Sequence, residues 1–192
     1  VSLTTPQGTL HAGKLVLATN AWLPALAAQL GQVWLAESLT PIRGQMLATE
    51  PLAEQVFPCP CAADHGYQYW RQVAGRLLVG GWRNQSFATE AVADELPACE
   101  VQQHLDAFVH ETLNLPQVRI AARWAGVMAF SADALPLVGP LAGTEHCFLG
   151  GGYTGHGNAY AVHAAAMLSE MVQGNEPEGA GLFLPGRFAA GA

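Results

Sequence analysis

The sequence predicts a mixed α/β (α+β) fold with a substantial antiparallel component, and three observations carry that prediction. The first is a strand, glycine turn and helix near the C-terminal end. An apolar run from His146 to Leu149 enters Gly150, Gly151 and Gly152, then Tyr153-Thr154-Gly155-His156-Gly157, then an alanine-rich segment closed by Gly174 and Pro177. The second is a change of apolar period towards two from Val33 onward, the mark of half-buried strands. The third is composition: 51% apolar and 12% charged residues in a chain of 192 belong to a globular protein with a sizeable core, not to a disordered one.

The elements follow in order. Val1 to Thr5 and Thr9 to His11 flank Pro6-Gln7-Gly8 and read as a hairpin. Leu15 to Leu17 is a buried strand. Asn20 suits a helix N-cap, since Trp22, Leu23, Leu26 and Leu30 follow at helical spacing, Pro24 falls in the first turn and Gly31 is the stop. Val33 to Leu39, Gln45 to Thr49, Tyr67 to Val73 and Arg76 to Trp82 are expected strands, the last two joined through Ala74-Gly75. Pro51 to His65 and Phe87 to Glu95 are expected loops. Pro97 to Leu113 is a helix whose buried stripe is Val101, Leu105, Phe108 and Val109. Val118 to Phe130 is a long strand.

Charge and cysteine content exclude several classes of function. Eight basic residues against 15 acidic ones give a net charge of −7, with no basic cluster to follow a phosphate backbone, so nucleic acid is not an expected partner. No apolar run reaches the roughly 18 residues that span a bilayer, and no secretory signal is visible. Cys59, Cys61, Cys99 and Cys147 form no paired CxxC, so no metal site is expected. They read as ordinary thiols of a reducing, cytoplasmic compartment.

The glycine turn has two readings from its residues. Glycines permit positive φ and close approach of backbone to a ligand. The first turn of the following helix leaves N–H groups unpaired at the positive end of the helix dipole, which favours an anion or an electron-rich carbonyl edge. The other reading is a turn that merely packs a helix closely on a sheet. The spacing GGGYTGHG lacks the Lys-Ser/Thr ending of a phosphate loop.

Trp124-Ala125-Gly126, the run Ser131-Ala132-Asp133-Ala134-Leu135-Pro136-Leu137-Val138-Gly139-Pro140, and Gly152-Tyr153-Thr154-Gly155-His156-Gly157 occur in that order. Together they resemble the C-terminal part of the D-amino-acid-oxidase-like FAD-dependent oxidoreductases, a family that includes glycine oxidase, sarcosine oxidase and gamma-glutamylputrescine-type amine oxidases. Lys14 to Trp22 and Pro41 to Gln45 also resemble family segments, so the likeness spans nearly the whole chain. Members open with a strand, GxGxxG and a helix that hold the FAD pyrophosphate. This chain does not open with such a segment and begins at Val1. The resemblance therefore implies a C-terminal half, its partial FAD-binding domain lacking the N-terminal Rossmann unit and joined to an antiparallel-sheet substrate domain. The expected division is 1–40 as remnant of the FAD-binding domain, 41–123 as substrate domain, and 124–192 as the return to the FAD-binding domain.

The resemblance also implies site residues. Thr19, Asn20 and Trp22 are expected near the pyrophosphate, with Trp22 as a core aromatic the competing reading. Arg43 is expected beside the cofactor, and Gly152, Tyr153, Thr154, Gly155, His156, Gly157 and Asn158 against the isoalloxazine ring. Tyr67 and Tyr69 share one face of a strand and are expected to wall the substrate site, with a surface aromatic ladder as the alternative. Members that oxidise amino acids carry an arginine four residues after the motif tryptophan to clamp the carboxylate. Met128 stands there in this chain. Ala159 replaces the lysine of some sarcosine-oxidising members, and the position shortly before Asp133 that carries a covalent flavin cysteine in some members has no cysteine here, so the resemblance implies noncovalent FAD. The implied reaction is oxidation of the C–N bond of a small amine or amino acid, with no acid–base residue specified because the cofactor carries the chemistry. Two expectations remain: an oxidoreductase fragment that lacks FAD in isolation, or a flavin-free association module. Either form leaves room for a homo-oligomer or a complementing N-terminal half.

Overall fold

The computed structural model describes residues 1–191, with side chains through residue 189; residue 192, the last of the expected third segment, lies outside the described residues. The chain divides into two compact units, one formed by 1–41 with 128–192 and the other by 42–127. It crosses between them within two strands, Leu39–Pro51 and Ile120–Ser131.

The first unit opens with the expected hairpin, β1 (Ser2–Thr5) against β2 (Gly8–His11), where Thr5 Oγ1 donates to the Gly8 carbonyl across the turn. β3 (Leu15–Leu17) follows and leads into a 3-10 turn at Asn20–Trp22 and α1 (Leu23–Gln29). Asn20 does not cap this helix. It sits at φ 44, in the left-handed region that asparagine tolerates better than most residues, and its side chain reaches away to another segment. Trp22 is 51% exposed, which removes the reading of a core aromatic.

The expected strand at Val33 to Leu39 is instead α2 (Val33–Ser38). Its buried positions are Leu35, Ser38 and, just beyond its end, Leu39, an i, i+3, i+4 set that belongs to a helix. The Ser38 hydroxyl donates to the Trp34 carbonyl at 2.7 Å, and Trp34 Nε1 donates to Gln32 Oε1 at 2.9 Å. Over so few residues a β-branched start imitates a strand, and packing of Leu35 with Leu17, Leu23 and Leu149 decides the matter.

β4 (Leu39–Pro51) then enters the second unit. The expected loop after it contains a short strand, β5 (Cys61–Ala63), paired antiparallel with β6 (Gln68–Val73). β6 and β7 (Arg76–Gly81) form a hairpin around Ala74 and Gly75, both at positive φ as a two-residue turn requires. The second expected loop contains one helical turn, α3 (Phe87–Glu90). α4 (Cys99–Ala107) continues into a π-turn at Phe108–Thr112, and Val101, Leu105, Phe108 and Val109 are buried as their spacing predicts. β8 (Ile120–Ser131) completes a five-stranded sheet ordered β5-β6-β7-β4-β8. One face carries Leu47, Leu77, Val79 and Trp70 against α4.

Back in the first unit, β9 (Leu137–Pro140) and β10 (Cys147–Gly151) join β3 in a three-stranded sheet, with β10 parallel to β3 and antiparallel to β9. α5 (Gly157–Gln173) packs Ala164, Met167 and Leu168 on Val138 and Phe148 and ends at Gly174, φ 93. No helix among the described residues is long and apolar enough to cross a membrane.

The second unit is organised around one buried cation. Arg43 is 7% exposed and its five N–H groups all find acceptors. Nε and Nη2 bond to the Glu90 carboxylate at 2.9 Å each, Nη1 to Asp94 Oδ1 at 2.6 Å and the Leu96 carbonyl at 2.8 Å, and Nη2 also to the Thr89 carbonyl at 3.5 Å. Glu90 is fully buried and accepts further from Gln45, whose own oxygen accepts from Ala98 N and Gln102. Removing one partner leaves a buried charge uncompensated, which typically costs about 3–5 kcal/mol. Glu90→Leu is expected to lower the urea-unfolding free energy of the chain by that order. Adding Arg43→Met to it should restore a large part, and a double variant as unstable as the single one would contradict the pairing.

Candidate functional site

The turn after β10 is shaped by close backbone approach. Gly151 and Gly152 are buried, and a Cβ at Gly151 would meet Asn20 Cα at 3.3 Å. Gly152 adopts φ 73, and a Cβ there would lie 2.7 Å from Leu39 Cδ2 and 3.1 Å from Leu137 Cδ1. Glycine is needed at Gly152 both for its dihedral and for space.

Three ties fix the turn. Gly152 N donates to Asn20 Oδ1 at 3.1 Å, joining it to the segment after β3. Thr154, itself at φ 50, donates its N–H to the Ala129 carbonyl at 2.9 Å. Its hydroxyl accepts from Ser131 N at 3.2 Å. Ser131 Oγ in turn donates to the Leu135 carbonyl at 2.7 Å, so the end of β8 and the loop beyond it are held together.

Between these ties lies a cleft of about 170 Å3 lined by Asn20, Met128, Ala129, Tyr153, Gly155, Gly157 and Asn158. Among the described residues the N–H groups of Gly155, Gly157 and Asn158 have no acceptor, whereas those of His156 and Ala159 are bonded within the turn. They stand at the first turn of the 17-residue α5, where the helix dipole adds to their polarity. Burial pushes the Tyr153 phenol above its usual range, so this wall of the cleft stays neutral at physiological pH. The cleft thus offers N–H donors, neutral walls and one apolar side chain, Met128.

Of the residues expected at the cofactor, Asn20, Tyr153, Gly155, Gly157 and Asn158 are brought together with Met128 in this cleft. Gly152 and Thr154 hold the turn from behind. His156 is exposed, its Nδ1 3.0 Å from the Thr154 carbonyl. Thr19 and Trp22 are exposed and do not line the cleft. Arg43 has no donor left for a cofactor. Ala129, which completes the lining, escaped sequence reading because an alanine in a strand carries no chemical signal.

Tyr67 and Tyr69 belong to the second unit. A Cβ at Gly80 would overlap the Tyr69 ring and Met46 Sδ, so the tyrosine lies over this glycine. Trp70 points to the α4 side, which places Tyr69 and Arg71 on the opposite face of β6. Burial raises the Tyr69 pKa, opposed by the charge of Arg83. The Arg83 guanidinium stands 4.8 Å from the Tyr67 ring centre. Arg123 bonds to Gln102 and Asp106 on α4, so Trp124, its neighbour on β8, also faces away from α4 and is 40% exposed.

A family model described as FAD dependent oxidoreductase matches residues 1–171. The chain belongs to that family. It is 30% identical over 174 residues to glycine oxidase of Pseudomonas putida, covering 90% of this chain and 45% of that protein. It is 29% identical over 178 residues to glycine oxidase of Pseudomonas aeruginosa, covering 92% and 46%. Among solved structures it superposes on glycine oxidase from Geobacillus kaustophilus with a TM-score of 0.79 at 21% identity, over 95% of this chain and 48% of that one. L-proline dehydrogenase from P. horikoshii gives 0.78 at 21%, over 99% and 50%. The chain of this FAD dependent oxidoreductase spans about half the length of the relatives it matches.

The cleft fits part of the family's cofactor. Its volume of about 170 Å3 is below the ~300–1,000 Å3 of a site that buries a whole drug-sized ligand. Free backbone donors, a glycine floor and neutral walls suit the carbonyl edge of a flavin. Within the described residues no cluster of three or more His, Cys, Asp or Glu is placed to hold a metal ion.

The loop after β8 carries a further tie. Arg187 Nε donates to Asp133 Oδ2 at 2.7 Å and Nη2 to Oδ1 at 3.1 Å and to the Leu135 carbonyl at 2.9 Å, so the C-terminal arm is fastened beside Ser131. The Arg187 hydrogen bond holds the Asp133 carboxyl below the usual carboxylate range. A depressed folded-state pKa contributes stability above the ordinary value, near 3.8, and that contribution is lost as pH falls through the depressed value. The pair is partly exposed, which limits it to about 0.5–1 kcal/mol. Asp133→Asn should therefore lower Tm slightly at pH 7, and the difference from the unmodified chain should vanish as pH falls through the depressed value. A difference that persists in acid would exclude the ion pair as its cause.

Proposed function

We propose that this chain is the flavin-ring side of a FAD-dependent oxidoreductase that oxidises the C–N bond of an amine or amino acid. The observation that carries the reading is the convergence of Gly155, Gly157 and Asn158 N–H groups on the cleft that Met128 and Tyr153 also line. Noncovalent FAD, when bound, would supply the two-electron acceptor for the hydride lost by the substrate carbon; with a proton lost from nitrogen this leaves an imine for water to hydrolyse. The N–H groups would hold the ring's electron-rich edge. Tyr153, kept protonated by burial, and Met128 would exclude water from that end. Tyr67 and Tyr69 supply aromatic surface for the substrate.

The remainder of the polypeptide, or a complementing half, is proposed to cover the outer side of α5. Ala161, Val162, Ala165 and Ala166 are exposed there, Val162 at 80%. The relatives lend no support to a flavin-free association module. The 192 residues span about half the length of the relatives, so the isolated polypeptide is expected to purify with FAD well below stoichiometric occupancy. Visible absorbance with one flavin per chain would show that the pyrophosphate contacts are dispensable.

Substrate choice follows from Met128. An apolar side chain in the cleft offers no charged partner to a carboxylate, and a buried carboxylate without one typically costs about 2–5 kcal/mol, roughly 30- to several-thousand-fold in affinity. Arg43 is spent on Glu90 and Asp94, whereas Arg71 on β6 is exposed and its side chain has no partner among the described residues, which makes it the alternative clamp. The complete enzyme is expected to turn over amines lacking an α-carboxylate with higher kcat/KM than small α-amino acids such as glycine, and Met128→Arg should narrow or reverse that preference. If the unmodified enzyme prefers the amino acid and loses the preference in Arg71→Ala, the clamp lies on β6 and Met128 is not the determinant.

A further inference from the structure

Asn20 has a feature that its place in the turn after β3 does not require. Its carboxamide oxygen accepts from Gly152 N at 3.1 Å, and a carbonyl must be the atom that faces an N–H donor, so the amide orientation is fixed. The NH2 end is thereby left over. It has no acceptor among the described residues, and Asn20 is half-buried in the lining of the cleft that holds the free N–H groups of Gly155, Gly157 and Asn158. The residue sits at φ 44, and a Cβ added at Gly151 would come within 3.3 Å of its Cα and 3.5 Å of its oxygen, so only a glycine there leaves Asn20 this close approach.

We propose that Asn20 is a ligand-contacting residue of the cleft. Its oxygen locks the glycine turn, and its NH2 group donates a hydrogen bond to an acceptor atom on the edge of a planar heterocycle, the carbonyl and ring-nitrogen edge of a flavin under the reading above. Asn20 is thus a side-chain donor added to the backbone donors of α5, approaching from a different chain segment. Together they select a ring edge rich in acceptors over one that presents N–H or C–H. The inference rests on the flavin reading of the cleft and adds the residue that recognises the edge.

Asparagine to aspartate separates the two roles. Asn20→Asp keeps an oxygen for Gly152 N but replaces the NH2 by a second, negatively charged oxygen; Asn20→Gly suits the dihedral and removes both. The isotope-labelled chain is titrated with FMN and, separately, with inorganic phosphate, while Asn20 side-chain and Gly155, Gly157 and Asn158 backbone amide shifts are followed by NMR, with Tm measured for each variant. FMN is expected to move the Asn20 NH2 and the three amides where phosphate does not. Asn20→Asp should keep its Tm and bind FMN roughly ten-fold or more weakly, since a donor to the ring becomes a repelling acceptor. Asn20→Gly should lose Tm as well as affinity. Equal FMN affinity in the unmodified chain and Asn20→Asp would overturn the donor role while leaving the flavin reading intact. Shifts reproduced by phosphate alone, or no response to FMN in the unmodified chain, would remove the flavin reading of the cleft and this assignment with it.

Discussion

The backbone of Gly152 can lie where it does only because it has no side chain, and the first unit is arranged around that constraint. With Leu39 and Leu137 pressed against its Cα, the turn after β10 is forced to rise away from the sheet, and the tie to Asn20 fixes its direction. β3 and β10 run parallel and both end at this point, so the segments leaving them meet there. The cleft is the space between those departures, bordered by the end of β8. The sheet, the turn and α5 leave the N–H groups of Gly155, Gly157 and Asn158, which line it, without a partner among the described residues.

Much of this was legible in the residues. A strand, a glycine cluster and an alanine-rich stretch closed by glycine specify β10, the turn and α5, because each has a local physical cause: positive φ, helical spacing, a left-handed stop. The hairpins around Pro6 to Gly8 and Ala74-Gly75 were readable for the same reason. α2 was not. Its six residues start with a β-branched residue and an aromatic, and the helix exists because Leu35, Ser38 and Leu39 are buried together, a tertiary fact. β5 was invisible inside a proline-rich stretch, since three residues that pair with β6 carry no period of their own.

The site divides along the same line. The glycine turn and Met128 stand out by spacing and by motif. The fate of Arg43 did not, because its partners lie 47 and 51 residues away in sequence, and only the fold shows that all of its donors are consumed. Asn20 was noticed for the wrong reason: it matches a helix cap by residue type, yet its oxygen serves a glycine 132 positions later. Side chains that bond across long sequence separations are where reading by local rule fails.

The network around Arg43 joins Glu90, Asp94, Gln45, Gln102, Arg123 and Asp106, and each of these side chains lies between residues 42 and 127. No charge in it looks to the other unit for neutralisation. The segment therefore carries its own electrostatic specification and is suited to behave as a cassette. Exchanged as a whole for its counterpart in a relative, it would strand no buried ion, whereas exchanging α3 alone would separate Arg43 from Glu90. Sequence variation is thus least disruptive when it travels with the entire unit, and single-element grafts meet the resistance of a buried salt bridge first.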